Sequence, residues 1–200
     1  MDDATLRGLA IELGIGAGYG QTYAPEGYSN IDSQKSDTSA TLLAFLQARN
    51  KIFGGEVGYM KLPEYHSKSH TSDYPAYKHL PAGTYPQTVD GQQDITARGR
   101  YARANAYGPT MGGVEPYAFL GKMRVSSDNH EHATYDGKDE ADLRQKLTKN
   151  APYYGIGAQT NIGKNWNLRG EYSEVPHATV DYHTLDRKIR MFNLGLGYQF

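Results

Sequence analysis

Eight charged residues fall at alternate positions within strand-like segments: Glu12, Glu56, Arg98, Arg100, Lys122, Arg124, Arg169 and Glu171. Carboxylates and guanidinium groups gathered on one face of a sheet can form a hydrogen-bonded ion-pair network, balance a bound anion or gate a polar passage. His66, His70, His79, His130, His132, His177 and His183 all fall in segments read as loops. The spacings His66-x3-His70 and His130-x-His132 could each chelate a borderline metal. No regular element is expected to present them and no carboxylate pattern completes a site, so they read as solvated loop residues and no metal is assigned. His66 beside Ser67, and Asp181 near His183, are close pairs of the kind polar loops produce by chance, and no catalytic residue is assigned. Gly14-x-Gly16-x-Gly18 lies inside a strand pattern with no helix after it, so it lacks the helix N-terminus a phosphate site would use. No cofactor is implied, and the chain reads as non-enzymatic.

Composition narrows the class further. The 200 residues suit a single domain, 1–200. With no cysteine there is no disulfide framework, thiolate zinc site or cysteine nucleophile. A net charge of −1 lacks the basic excess that a phosphate backbone requires, so nucleic acid is not an expected partner. Mean hydropathy is −0.69 and no long apolar run is present, which excludes a transmembrane helix. A membrane-crossing strand needs apolar residues only at every second position over about 10 residues, so a whole-chain average does not register it. The 17 tyrosines suit strands and membrane interfaces, and the 23 glycines leave room on an inward barrel face.

Period-two alternation supplies the elements that must position the charges. From Gly8 to Tyr19, Ile11, Leu13, Ile15, Ala17 and Tyr19 oppose Glu12, Gly14, Gly16 and Gly18. The register of the next strand, Ala40 to Arg49, is ambiguous, because Leu43 and Phe45 lie on one face and Leu42 and Leu46 on the other. Further strands are expected over Phe53–Leu62, Asp94–Ala104, Val114–Val125, Tyr153–Thr160 and Trp166–Val175, with a last one ending at Phe200. Asp139 to Lys149 could form a short exposed helix.

Connections alternate between short turns and long polar stretches at about 20–38, 63–92, 126–151 and 176–187. This asymmetry predicts an all-β fold: a closed antiparallel up-and-down transmembrane β-barrel of about eight strands, with long external loops and short periplasmic turns. Both termini fall on the periplasmic side. Met1 followed by Asp-Asp-Ala reads as a mature sequence with an added start methionine. If the apolar faces meet lipid, Leu13, Val57, Tyr101, Phe119, Leu168 and Leu196 point outward, and the eight charges share the lumen, with a basic excess needing water or anions for balance. Trp166, Tyr198 and Phe200 should form a girdle at one membrane boundary.

The closing run Asn193-Leu-Gly-Leu-Gly-Tyr-Gln-Phe200 resembles the last strand of outer-membrane barrels. Phe53-Gly-Gly-Glu-Val-Gly-Tyr59 and Leu168-Arg-Gly-Glu-Tyr172 resemble the third and seventh strands of the OmpA-like family. The resemblance implies inward Glu56, Arg169 and Glu171, and an assembly signal at Tyr198 and Phe200 read by the barrel-assembly machinery. It also implies a monomer in contact with outer-membrane lipid and lipopolysaccharide in the bacterial outer membrane. Many family members carry a following peptidoglycan-binding domain; this chain reads as a barrel-only member or as the barrel of a longer protein.

Three functions compete. One is a structural or interaction barrel whose tyrosine-rich loops meet a host or phage ligand, supporting adhesion or envelope integrity. Another is a narrow ion or small-solute pore with a charged, gated lumen. The third, a soluble barrel binding a small ligand, would turn the apolar faces inward and the charges outward.

Overall fold

Alternating side chains over most of the chain produce strands, and the described residues contain no helix. The computed structural model describes residues 9–23, 37–72, 88–135, 139–180 and 186–200. Its strands are β1 (Ala10–Tyr23), β2 (Asp37–Arg49), β3 (Phe53–Lys61), β4 (Tyr65–Ser72), β5 (Thr88–Tyr107), β6 (Val114–Tyr135), β7 (Asp139–Asn161), β8 (Trp166–Val180) and β9 (Asp186–Gln199). They pair antiparallel in the order β3-β2-β1-β9-β8-β7-β6-β5-β4, and β3 also pairs with β5.

That last pairing closes the sheet. β3 and β4 are successive halves of one stave along β5, so the nine segments make a closed barrel of eight staves. Pro63, which has no N–H to donate, sits in the break between them. Lys61 faces Arg98 and Tyr65 faces Ile95, so four residues advance against three, and this bulge changes which parity faces inward. Leu62 N–H still donates to the Ala97 carbonyl at 3.0 Å. The short connections between β2 and β3, β5 and β6, and β7 and β8 share one rim. At the first, the Asn50 side chain accepts hydrogen bonds from the Ile52 and Phe53 amides at 2.8 Å each. At the second, Gly112 and Gly113 take φ of 59° and 84°, a region that favours glycine.

The strands extend beyond their expected limits. Segment 126–151, expected as a loop, is largely paired: Ser126 faces Thr148 and Tyr135 faces Asp139. The short helix expected at Asp139–Lys149 is strand β7. Strand also enters the other three expected loops, at Tyr65–Ser72 and Thr88–Gln92, at the ends of β1 and β2, and at the ends of β8 and β9. The remaining parts of those loops lie outside the described residues. The reason is physical: inter-strand backbone hydrogen bonds persist above the apolar band, where side-chain alternation no longer advertises a strand.

Orientation follows the expected parity on β1, β3, β8 and β9, where Leu13, Val57, Leu168 and Leu196 are exposed on the outer wall. In β2, Leu42 and Leu46 face out while Leu43 and Phe45 face in. β5 and β6 are reversed relative to the expectation. Tyr101 and Phe119 are 4% and 5% exposed and lie inside, while Ala102, Ala104, Ala106, Ala118 and Leu120 face out. An eight-stranded interior is narrow but must still be filled, and the bulky rings do so while alanine suffices against lipid.

Exposed aromatic residues mark both edges of the outer wall. At the turn rim the Trp166 and Tyr198 rings are 5.1 Å apart and Tyr198 and Phe200 are 5.3 Å apart, so the three cluster as expected. Towards the opposite rim lie exposed Tyr19, Tyr59, Tyr172 and Phe192. Trp166 is the single tryptophan. In bilayers, brominated lipids carrying bromine near the headgroup should therefore quench its fluorescence more than lipids brominated near the chain ends. Equal or reversed quenching would contradict an interfacial Trp166.

Candidate functional site in the barrel interior

The inward faces of three strands contribute charged side chains at mid-height. Glu56 comes from β3, Arg103 from β5, and Arg169 and Glu171 from β8, all nearly fully buried. Arg169 grips Glu56 with two nitrogens, Nη1 to Oε2 at 2.7 Å and Nη2 to Oε1 at 3.2 Å. Arg103 Nη2 bridges the two acids, donating to Glu56 Oε2 at 3.0 Å and Glu171 Oε2 at 2.8 Å. Arg169 also lies 3.8 Å from Glu171. Two cations and two anions therefore balance, and among the described residues no basic excess fills the lumen.

Aromatic side chains complete this layer. Tyr101 donates to Glu56 at 2.6 Å, and Tyr117 and Tyr153 donate to Glu171 at 3.0 and 3.4 Å. The Arg169 guanidinium carbon is 3.4 Å from the Phe45 ring centroid and that of Arg103 is 3.9 Å from Phe119. Stacking the guanidinium face while its edge donates hydrogen bonds is a geometry open to arginine and not to lysine. Gly195 gives Arg169 its place: a Cβ there would lie 3.1 Å from Arg169 Cγ.

Above the ions the interior is mainly apolar, with Met60, Leu62, Met123, Val125, Val175, Ile189 and Met191 almost wholly buried and the small polar Thr22 and Ser173 opposite Ile189 and Met191. Below them, at the turn rim, a cavity of about 230 Å³ is lined by Glu12, Arg49, Glu115, Gln159 and Asn167, among others. Arg49 pairs with Glu115 at 2.7 and 3.0 Å, and Gln159 donates to the same carboxylate at 2.6 Å. Glu12 accepts one hydrogen bond, from Asn167 at 3.4 Å, and its Oε1 has no partner among the described residues.

Of the eight charges expected in the lumen, the structure brings Glu56, Arg169 and Glu171 into one network and places Glu12 beneath it. Arg98, Arg100, Lys122 and Arg124 are exposed on the outside, which overturns their assignment to the lumen. The reversal of β5 and β6 is the cause. The same reversal brings in Arg103, which the alternation of Ala102, Ala104 and Ala106 against Arg103, Asn105 and Tyr107 could have revealed. The histidines also need correction: His66 and His70 lie in β4, His130 and His132 in β6, and His177 in β8. His66 Nδ1 is 2.6 Å from Asp94, and His130 Nε2 is 2.8 Å from Asp142. No group of three or more metal-ligating side chains occurs among the described residues. His79 and His183, with Asp181, lie outside them.

The comparisons agree with this architecture. Residues 8–200 match the outer membrane protein beta-barrel domain model. The chain belongs to that family of outer-membrane β-barrels. Among solved structures it is similar to Neisserial surface protein A, at 15% identity and a TM-score of 0.57, covering 95% of this chain and 97% of that one. It is also similar to the N-terminal β-barrel domain of Pseudomonas aeruginosa OprF, at 11% identity and a TM-score of 0.50, covering 94% and 97%. These likenesses show the fold, and the family places the protein in the bacterial outer membrane. The sequence matches no curated protein.

The network makes a quantitative demand. Glu56→Ala leaves Arg169 and Arg103 without their shared acid and should cost about 3 to 5 kcal/mol in urea unfolding of the refolded barrel. Glu56→Ala combined with Arg169→Ala should cost less than the sum of the single changes, because Arg103 and Glu171 still balance. Additive losses would mean that the two residues do not act as a pair.

Proposed function

We propose that this protein is a structural and interaction barrel, closed to solute and presenting its outer-rim strands and loops to the surroundings. The observation that carries this reading is the two-layer filling of the interior. The ion network occupies mid-height, and the Met60, Met123, Ile189 and Met191 layer sits above it. A solute would have to break a desolvated four-ion cluster and then cross an apolar plug. On the outer side, β4 to β7 continue as a ladder carrying exposed Lys68, Asp128, Asp142 and Lys146 and half-buried Asp94 and His130. A polar ladder of this kind suits recognition of an external ligand better than passage of one.

The pore reading retains one specific support. Arg169 has Glu56 at 2.7 Å and Glu171 at 3.8 Å. Glu12, with its unpartnered Oε1, approaches Gly197, two residues along β9 from the Gly195 that Arg169 approaches. Exchange of Arg169 between Glu56 and Glu12 would open the mid-height layer, although the apolar layer would remain. Tyr198 and Phe200 are proposed as the signal for assembly into the membrane, with the barrel acting as a monomer.

Planar-bilayer recording of the refolded chain separates the readings. The wild-type barrel should show no sustained open state, and Glu56→Ala should not create one while the apolar layer stays intact. Sustained wild-type conductance would replace the closed-barrel reading with the pore.

A further inference from the structure

The four cations that the structure moves out of the lumen lie together on the outer wall. Arg98 and Arg100 follow Ala106, Ala104 and Ala102 on the outward face of β5, and Lys122 and Arg124 follow Ala118 and Leu120 on that of β6. On each strand the apolar outward residues begin at the turn rim and end where the cations start. The neighbouring stave changes at the same level, from exposed Val57 and Tyr59 to Lys61, and Tyr59 lies directly opposite Arg100. The patch thus sits where the wall leaves hydrocarbon on the side away from the turns, the headgroup level of the outer leaflet.

Register makes the patch electrostatically unfavourable by itself. Arg100 stands directly across from Arg124, and Lys61 directly across from Arg98. Like charges facing each other on adjacent strands destabilise a sheet. Lys61 is relieved by Glu64 at 2.8 Å. Arg98, Arg100, Lys122 and Arg124 have no ion pair or side-chain hydrogen bond among the described residues. On the wall formed by β8 and β9, by contrast, the basic residues are already neutralised: Lys188 and Arg190 lie 2.7 and 3.2 Å from Glu174. An anion bridging β5 and β6 would turn the repulsion into attraction, and guanidinium forks match phosphate oxygens.

We propose that Arg98, Arg100, Lys122 and Arg124 form a binding surface for the phosphate groups of lipopolysaccharide in the outer leaflet. The acyl chains lie against the alanine-lined wall of β5 and β6, whose small side chains leave them room, while the phosphates occupy the space between the paired arginines. The ligand is thus a lipid held at the barrel's outside, distinct from any soluble ligand of the rim.

Native mass spectrometry of the full refolded chain, released from detergent micelles containing bis-phosphorylated lipid A, tests this. Wild type should retain lipid A, and Arg100→Gln with Arg124→Gln should weaken retention roughly 10- to 30-fold, the loss expected for two cations at a charged lipid surface. Fully dephosphorylated lipid A should show a similar loss with the wild-type chain. Lys188→Gln with Arg190→Gln removes the same charge at the neutralised site and should change retention little. The proposal is overturned by equal retention in wild type and the Arg100/Arg124 variant, by an equal loss in the Lys188/Arg190 variant, or by no preference for the phosphorylated lipid. Competition by inorganic phosphate or a sulfated oligosaccharide as effective as lipid A would also overturn it, since the surface would then serve a soluble anion. If the double variant fails to give the heat-sensitive gel mobility of a folded barrel, Lys122→Gln and the comparison of the two lipids on the wild-type chain decide.

Discussion

Everything in this molecule depends on closure of the sheet between β3 and β5. In hydrocarbon an unpaired backbone amide or carbonyl has no solvent to turn to, so a sheet can cross only if it has no edge. Closure at eight staves then sets the second constraint, a lumen too narrow to stand empty and too long to fill with one kind of side chain. The Pro63 break is accommodated because β4 resumes pairing with β5 after a one-residue bulge, leaving the seam continuous.

The way the lumen is filled follows from the mixture of groups available. Glu56, Arg103, Arg169 and Glu171 can be buried together because their charges cancel and nearly every oxygen finds a donor. Tyr101, Tyr117 and Tyr153 serve twice, packing the interior as rings and donating to the acids as phenols. A buried ion cluster of this kind is weak support for net stability, since a well-packed apolar replacement can do as well. What it supplies is register: only one alignment of β3, β5 and β8 brings all four ions within contact. The apolar layer above needs no such alignment, and together the two layers support the proposed reading of a barrel held in one arrangement and closed to solute.

Charge on the outer wall obeys a different rule from charge inside. Within the apolar band the outward residues are mostly Ala, Leu, Ile, Val, Tyr and Phe, and on β5 and β6 the charged ones begin at its outer edge. Inside, a cation needs a carboxylate within contact distance. Outside, at the membrane surface, it can be met by water and by lipid phosphate. The facing Arg100 and Arg124 of β5 and β6 are tolerable only in the second setting, and this links the reversed orientation of those two strands to the lipid the barrel would hold.

The sequence by itself determined the fold class, the alternation of short turns with long connections, the outward faces of β1, β3, β8 and β9, and three members of the ion network. Each of these is written in local alternation, or in the short runs around Glu56, Arg169 and Phe200. The orientation of β5 and β6 was decided only by tertiary structure. There, Tyr101 and Phe119 could face lipid or lumen with equal local plausibility, and filling a narrow interior settles it in favour of the lumen. The lengths of β6 and β7 were likewise undecidable locally, because above the membrane the ladder is held by backbone hydrogen bonds that leave no period in the side chains. The partnership of Arg103 with Glu56 and Glu171, residues from three strands far apart in the chain, exists only once the barrel closes.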